Sequence, residues 1–396
     1  MSDILSRLRD LGVTKGFPET VKVTAKKPSE QMDALMKIFP NGIIVENEYG
    51  YAFINRLKQP LSKPHGEINM EKEIINAPLF DSMMEISVNK KEETLAFDTE
   101  TSGLSNGSGS FIFMLGLGYF EDENYIVDQL ILPDLSAEKA FLRQTELIFS
   151  RFPILLSYNG KSFDIPMLQS RIHFHLMPDF TKSITHCDLL KLTRRYWKPA
   201  LGAVNLSNIE HYVLKLQRGD EEVPGYLAPE LYRDFLRDGD ASHIAGVAYH
   251  NQIDVISLSA FLLYLNDLVI NAEKEPDLWK INNVSETALM KHNLKFFSGR
   301  IIADLNNLSL KEKKALASKL QRNGESEKAL EIFSELAAAG DHEAAEKLMI
   351  YYLKIKDNEK SEFYRTLAID LIEKDETIGI WSKADKLTKI RNRKTR

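Results

Sequence analysis

Thr94-Leu-Ala-Phe97-Asp98-Thr-Glu100-Thr101-Ser-Gly103-Leu104 sets a short apolar run against two carboxylates and a turn. Thr94–Phe97 reads as a buried strand that runs into the acidic pair. Side chains in a strand repeat every two residues, so Asp98 and Glu100 project from the same face. Two like charges side by side on an apolar strand repel, and a cation is what neutralises such a pair. Gly103 in the following turn lets backbone come close to whatever is bound.

Working outward, Phe111–Tyr119 and Tyr125–Leu132 read as two more strands, parted by the turn Glu121–Asn124. Ala137–Phe149 has helical spacing, with Phe141, Leu147 and Ile148 on one side. Ile154–Tyr158 is a strand ending at Asn159-Gly160, and a helix follows from Ser162. Ser207-Asn-Ile-Glu210 has the form of a capping box, which predicts a helix start. Ile244, Val247, Ala248, Val255, Leu258 and Leu262 recur at helical intervals and predict one long helix. Strands first, then helices alternating with further strands, predict an α/β domain over 91–270: a mixed β-sheet flanked by helices.

Residues 1–90 read as a small N-terminal appendage. It has an amphipathic start (Leu5, Leu8, Leu11), a strand-turn-strand over Gly42–Gly50, and a proline-marked loop over Lys58–Gly66. Residues 271–308 are connecting sequence. From Ser309 the composition shifts to Ala, Leu, Glu and Lys, in helical pairs broken at Gly324, Gly340 and Asp357-Asn358. Ala329 and Phe333 sit four apart, and Gly324 and Asn358 sit 34 apart, as in a tetratricopeptide repeat. The second copy is degenerate, since Lys354 falls where the first has Leu320. Region 309–396 is therefore expected to be all-α and tetratricopeptide-like. Two such units cannot bury their faces alone, so docking on the α/β domain and a protein partner are expected of them. Lys383–Arg396, with seven basic residues and one acidic, reads as a solvated tail.

Composition narrows the function classes. A chain of 396 residues, 43% hydrophobic and 27% charged, is globular and holds about two or three domains. Its net charge of −6 excludes bulk positive charge as the means of holding nucleic acid, so a local patch must serve. The single cysteine, Cys187, excludes a disulfide scaffold and a Cys-rich zinc module. The N-terminus has no signal-peptide core. The most apolar stretch, Phe111–Phe120, is too short to span a bilayer. A cytoplasmic protein without a membrane segment is the expectation.

Two further carboxylates matter. Asp164 closes Asn159-Gly-Lys-Ser-Phe163-Asp164 after an apolar strand. Asp254 closes His250-Asn-Gln-Ile-Asp254 on the long helix, among Val255, Ile256 and Leu258, where an unpaired charge is costly. Alone, each reads as a cap or as an arginine's partner. Together with the first motif, in this order and about 60 and 90 residues apart, they resemble the three exonuclease motifs of the DEDD superfamily. The resemblance is nearest to the YprB-like ribonuclease H-like domain. Asp188–Trp197, Leu206–Glu210, Val223-Pro-Gly225 and His250-Asn251 share that group's texture, over about residues 90–268.

The resemblance implies an RNase H-like fold and a 3′→5′ exonuclease on single-stranded nucleic acid, DNA or RNA. It implies Asp98, Glu100, Asp164 and Asp254 as ligands of two metal ions, and Thr101, Leu104, Asn159 and Phe163 as substrate-binding. Hard oxygen donors without a thiolate favour Mg²⁺ or Mn²⁺. Two such ions can clamp the attacking and leaving oxygens of a phosphodiester.

The general base is read from the chain itself. One branch of the superfamily has His five residues before the last Asp, the other Tyr four before; this chain has Tyr249 and His250, the reverse of both. At about 100° per residue, four positions return His250 to within ~40° of Asp254, and five leave Tyr249 ~140° away. Imidazole also titrates near neutrality, so His250 is the expected general base.

Two other classes use similar residues: a catalytically weak or inactive nucleic-acid-binding scaffold acting through the helical repeats, and a single-metal phosphatase. Lesser signals are His173, His175, His186 and Cys187, which lack the spacing of a zinc site. Gly107-Ser-Gly109 and Gly116-Leu-Gly118 lack a P-loop's Lys-Ser/Thr. Arg194, Arg195 and Lys198 beside Tyr196 and Trp197 read either as a phosphate grip with a stacking platform or as an amphipathic helix.

Overall fold

The computed structural model describes residues 28–103, 109–219, 222–292, 308–322 and 324–393. Leu5, Leu8, Leu11 and Leu104 lie outside them. Seven strands form one sheet: β1 (Gly42–Asn47), β2 (Gly50–Pro60), β3 (Thr94–Thr101), β4 (Ile112–Glu121), β5 (Asn124–Ile131), β6 (Ile154–Ser157) and β7 (Thr185–Asp188). Their order is β1-β2-β5-β4-β3-β6-β7. The pairs from β1 to β3 are antiparallel, while β3-β6 and β6-β7 are parallel. The predicted mixed sheet flanked by helices is therefore what the chain builds.

The hairpin β1-β2 is no appendage. β2 pairs with β5 along its length, so the sheet continues through residue 60, and the division drawn at residue 90 is not a structural boundary. Lys58–Pro60, predicted as loop, end that strand; Pro60 sits at its last pair, where a missing N–H costs least.

Among the described residues, the helices of eight residues or more are α1 (Glu30–Ile38), α2 (Glu138–Phe149), α3 (Asp164–Phe174), α4 (Leu189–Tyr196), α5 (Ala228–Asp238), α6 (Ser242–Lys274), α7 (Leu310–Arg322), α8 (Ser326–Ala338), α9 (His342–Lys354), α10 (Asn358–Lys374) and α11 (Ile380–Arg391). In α2, Phe141 and Ile148 are buried as predicted, but Leu147 is exposed. α3 starts at Asp164 and not at Ser162, because Asn159 takes a left-handed turn (φ 71°) that Ser162 N–H closes. The capping box at Ser207 is not used: Asn205 caps the turn by accepting from Asn208 N–H, 2.9 Å. Among the described residues, α6 is long and apolar enough to cross a membrane, yet 72% of its most apolar window is buried in the protein.

The chain divides into two compact units. The first comprises the described residues up to Asn76, Ile86–Lys191 and Asn205–Asp267. Its core is built from Phe97, Phe113, Leu115, Leu130, Phe141 and Ile244 among others.

The second comprises Ala77–Glu85, Leu192–Val204 and the described residues from Leu268. Part of the predicted connector is helical here: α6 runs on to Lys274, and short helices cover Leu278–Ile281 and Glu286–His292. α7–α11 share a core with Leu316, Leu320, Ala329, Phe333, Leu348, Ile372 and Ile390. The basic end is not a free tail up to Arg393: Lys389 pairs with Asp385 (2.6 Å), Arg391 with Glu373 (2.9 Å) and Arg393 with Glu346 (3.1 Å). Tyr196 and Trp197 are fully buried, which removes them as a stacking platform; Arg195 pairs with Glu85 at 2.6 Å.

Candidate active site

The site lies in the first unit, where the C-terminal end of β3 meets the start of α3 and the middle of α6. Asp98 and Glu100 both fall inside β3, ahead of a register shift at Glu100/Thr101 that ends regular pairing with β4. Asp164 opens α3 after the left-handed Asn159. Asp188, at the end of β7, fixes that entry by accepting the N–H groups of Asn159 (2.8 Å), Lys161 (3.2 Å) and Leu190 (3.1 Å). Asp254 comes from α6.

The four carboxylates act on one another. Burial pushes Asp98 well above the ordinary carboxylate range, and the charges of Asp254, Asp164 and Glu100 push it further. Glu100 rises for the same reasons, by burial and then by Asp254 and Asp164. Burial lifts Asp164 to about 6, against a lowering hydrogen bond from Thr99 Oγ1 to Asp164 Oδ1. Asp254 is raised by burial, with Arg218 pulling the other way. Glu100 is only 8% exposed.

A polar row across the sheet holds Asp98. Asn55, Gln129, Gly116 and Asp98 are direct cross-strand partners on β2, β5, β4 and β3. Asn55 Nδ2 donates to Gln129 Oε1 (2.8 Å), and Gln129 Nε2 donates to Asn251 Oδ1 (3.2 Å) and to Ala248 O (2.6 Å). Asn251 Nδ2 then donates to Asp98 Oδ2 (3.0 Å). Asn251, on α6 and fully buried, fills the space that Gly116 leaves; a Cβ at 116 would strike its amide. Gly118 makes the same room for the Tyr125 hydroxyl, which bonds Ser259 Oγ at 2.7 Å and so seats α6. These two glycines are thus helix seats in a strand, where glycine marks close approach.

His250 shares the side of Asp254, its Nε2 3.7 Å from Asp254 Oδ2. Tyr249 is engaged elsewhere, its hydroxyl accepting from Gly219 N–H at 3.2 Å. Nδ1 of His250 lies 3.1 Å from Glu222 Oε1 and 3.0 Å from Arg218 Nη1. These neighbours ask opposite things, since Arg218 only donates and an ionised Glu222 only accepts. Arg218 and Glu222 lie in no periodic or motif-like pattern of the sequence, and Glu210, read there as part of a capping box, instead pairs with Arg218.

Of the predicted substrate-binding residues, Phe163 stands 53% exposed beside Asp164. Asn159 is half-buried, its N–H spent on Asp188, and Thr101 donates to Gly103 O at 3.0 Å. The other candidate ligands are structural: His175 Nε2 meets Glu138 Oε2 (2.7 Å) and His186 Nε2 meets Ser157 Oγ (2.7 Å).

Among the described residues, no three His, Cys, Asp or Glu side chains are gathered as tightly as a bound ion requires. The donor set itself fits a hard divalent cation: four carboxylates, oxygen donors without a thiolate.

A family model described as the RNase H superfamily matches residues 95–266. The chain is 33% identical over 243 residues to the uncharacterized protein YprB of Bacillus subtilis (strain 168), covering 59% of this chain. The match spans 57% of that relative's length. Among solved structures, the family B DNA polymerase of the hyperthermophilic archaeon Pyrobaculum calidifontis is similar over 58% of this chain and 29% of its own. Identity there is 15% and the TM-score 0.34. Residues 95–266 thus match the RNase H superfamily model, and the fold of the first unit is RNase H-like.

Proposed function

We propose that the protein is a divalent-cation-dependent 3′→5′ exonuclease acting on single-stranded DNA or RNA. The observation that carries this reading is the gathering of Asp98, Glu100, Asp164 and Asp254 where β3, α3 and α6 meet, close enough that the charges of Asp164 and Asp254 raise the pKa values of Asp98 and Glu100. Folding such a cluster without a cation is unfavourable, and structural need does not explain four of them at one strand end. These four would hold two Mg²⁺ or Mn²⁺ ions, which when bound activate water and stabilise the departing 3′-oxygen.

The chain's own residues do the rest. Asn251 fixes the face that Asp98 presents, and Thr99 does so for Asp164. His250 serves as general base at Nε2. Arg218 Nη1 lies nearer Glu222 (2.8 Å) than the ring, which leaves Glu222 to accept the Nδ1 proton and Nε2 to carry the lone pair. Exposed Phe163 is placed to stack on a terminal base.

The test is incubation of single-stranded DNA, single-stranded RNA and small phosphoesters with Mn²⁺, Mg²⁺ or EDTA. Cation-dependent, stepwise shortening of a 5′-labelled strand is expected. Binding without cleavage would move the protein to the scaffold reading, and cleavage of small phosphoesters alone to the phosphatase reading.

Two further results are expected. Asp98, Glu100 and Asp164 have folded-state pKa values above their unfolded ones, so the stability they contribute is full below the ordinary carboxylate range. It is lost as pH rises through the folded values, about 6 for Asp164. Without cation, Tm is therefore expected to fall across pH 4–7 from this cluster, and Asp98→Asn to flatten that fall. Added Mn²⁺ is expected to raise Tm more at pH 7.5 than at pH 5, measured by calorimetry.

The helical region 309–396 holds no matching carboxylate cluster in the sequence, and we assign it partner or substrate selection through tetratricopeptide-like repeats. Deleting 309–396 is expected to spare cleavage of a short oligonucleotide. A soluble truncation that binds Mn²⁺ but cannot cleave would place that region in the chemistry.

A further inference from the structure

We propose that Arg218 is a positioning residue that sets the carboxylate of Asp254 for cation binding; this rests on the reading above. Its side chain is 9% exposed and is tied on two edges. Nε donates to Glu210 Oε2 and Nη2 to Glu210 Oε1, both at 2.7 Å, a bidentate pair. Glu210 is itself anchored: Ser257 Oγ donates to its Oε1 at 2.6 Å, and His65 Nε2 lies 2.8 Å from that hydroxyl. On the other edge, Nη1 donates to Glu222 Oε1 at 2.8 Å and Nη2 to Asp254 Oδ1.

Two consequences follow from this fork. First, Asp254 has one oxygen fixed and Oδ2 left for another partner, so the carboxylate cannot rotate freely. Secondly, Arg218 with Glu210 and Glu222 sums to one negative charge, so the guanidinium does not repel a cation as a lone arginine would. Without it, Glu210, 2% exposed, and Glu222 would lose their charged partner, and Asp254 would lose the group that fixes its Oδ1. Lysine cannot substitute, because an ammonium is a point charge and this site uses a planar fork.

The experiment is an EPR titration of the full-length protein with Mn²⁺ as the probe, run on wild type, Asp98→Asn, Arg218→Lys and the double variant Arg218→Gln/Glu210→Gln. The double variant removes the buried pair together, so Glu210 is not left charged without its partner, which guards against a folding failure; circular dichroism confirms the fold. Wild type is expected to bind Mn²⁺ and Asp98→Asn to lose it. Arg218→Lys and the double variant are expected to bind about 10–100-fold more weakly, the usual loss when a ligand's outer partner is removed. Excess Mn²⁺ is expected to restore binding to both Arg218 variants and not to Asp98→Asn. Wild-type affinity in a folded Arg218 variant overturns the inference and leaves the proposed function standing. A wild type that binds no Mn²⁺ overturns both.

Discussion

Asp98→Ala and Asp164→Ala are each expected to abolish cation-dependent hydrolysis, down to the rate in EDTA, while leaving the fold intact. Each removes one of four oxygen ligands assigned to the cations. Neither position is packed into the apolar core: both side chains are half-buried and face their fellow carboxylates. Removing one charge relieves repulsion on the other three, so Tm without cation is expected to rise. Asp98→Ala costs Asn251 one acceptor but leaves it the Asp98 carbonyl at 3.3 Å. Asp164→Ala frees the Thr99 hydroxyl and the backbone N–H groups of Thr99 and of residue 164. Parallel activity and calorimetry on both variants check this. Full activity in either, with purity shown against a mock preparation, would sink the nuclease reading; lost activity with a collapsed Tm would make the residue structural.

His250→Ala is expected to lower turnover by roughly 10²–10⁴-fold and to remove the acidic limb of the pH–rate profile, as loss of a general base does. Tyr249→Phe is expected to change little, because that hydroxyl is occupied by Gly219 N–H. Glu222→Gln separates the two tautomers. If Glu222 takes the Nδ1 proton, losing its charge weakens the acceptor that holds the ring in that tautomer, and turnover falls. If Arg218 donates to Nδ1, Nε2 carries the hydrogen and no acidic limb depends on the ring. A Tyr249→Phe enzyme as damaged as His250→Ala, or an unchanged profile without the imidazole, reverses the assignment.

The acidic strand end, the helix-entry Asp164 and the long helix with Asp254 were legible because each combines a strong periodicity with a charge that periodicity does not explain. The helical turn also ordered His250 and Tyr249 correctly with respect to Asp254. Arg218 was not legible: it sits in a short irregular segment, and its partners arrive from a π-helical turn and from α6, which only tertiary structure brings together. Gly116 and Gly118 could have been found, since glycines inside an apolar strand signal close backbone approach; testing them only against a P-loop missed that signal. Tyr196 and Trp197 misled because neighbouring arginines suggest a nucleic-acid surface, whereas burial decides the matter. The hairpin β1-β2 was seen, but long-range pairing between residues 53–60 and 124–131 leaves no local mark.

That pairing has a practical side. The segment matching the family model, 95–266, leaves out β2, which supplies eight register positions along β5 from Phe53↔Ile131 to Pro60↔Asn124. A fragment trimmed to the matched segment would bare a long, apolar strand edge, an adhesive surface on which one copy can template the next. It would also strip Gln129 of Asn55, the outer end of the row that steadies Asp98. The hairpin that lies beyond the recognisable domain is thus both its protective hem and the far anchor of Asp98.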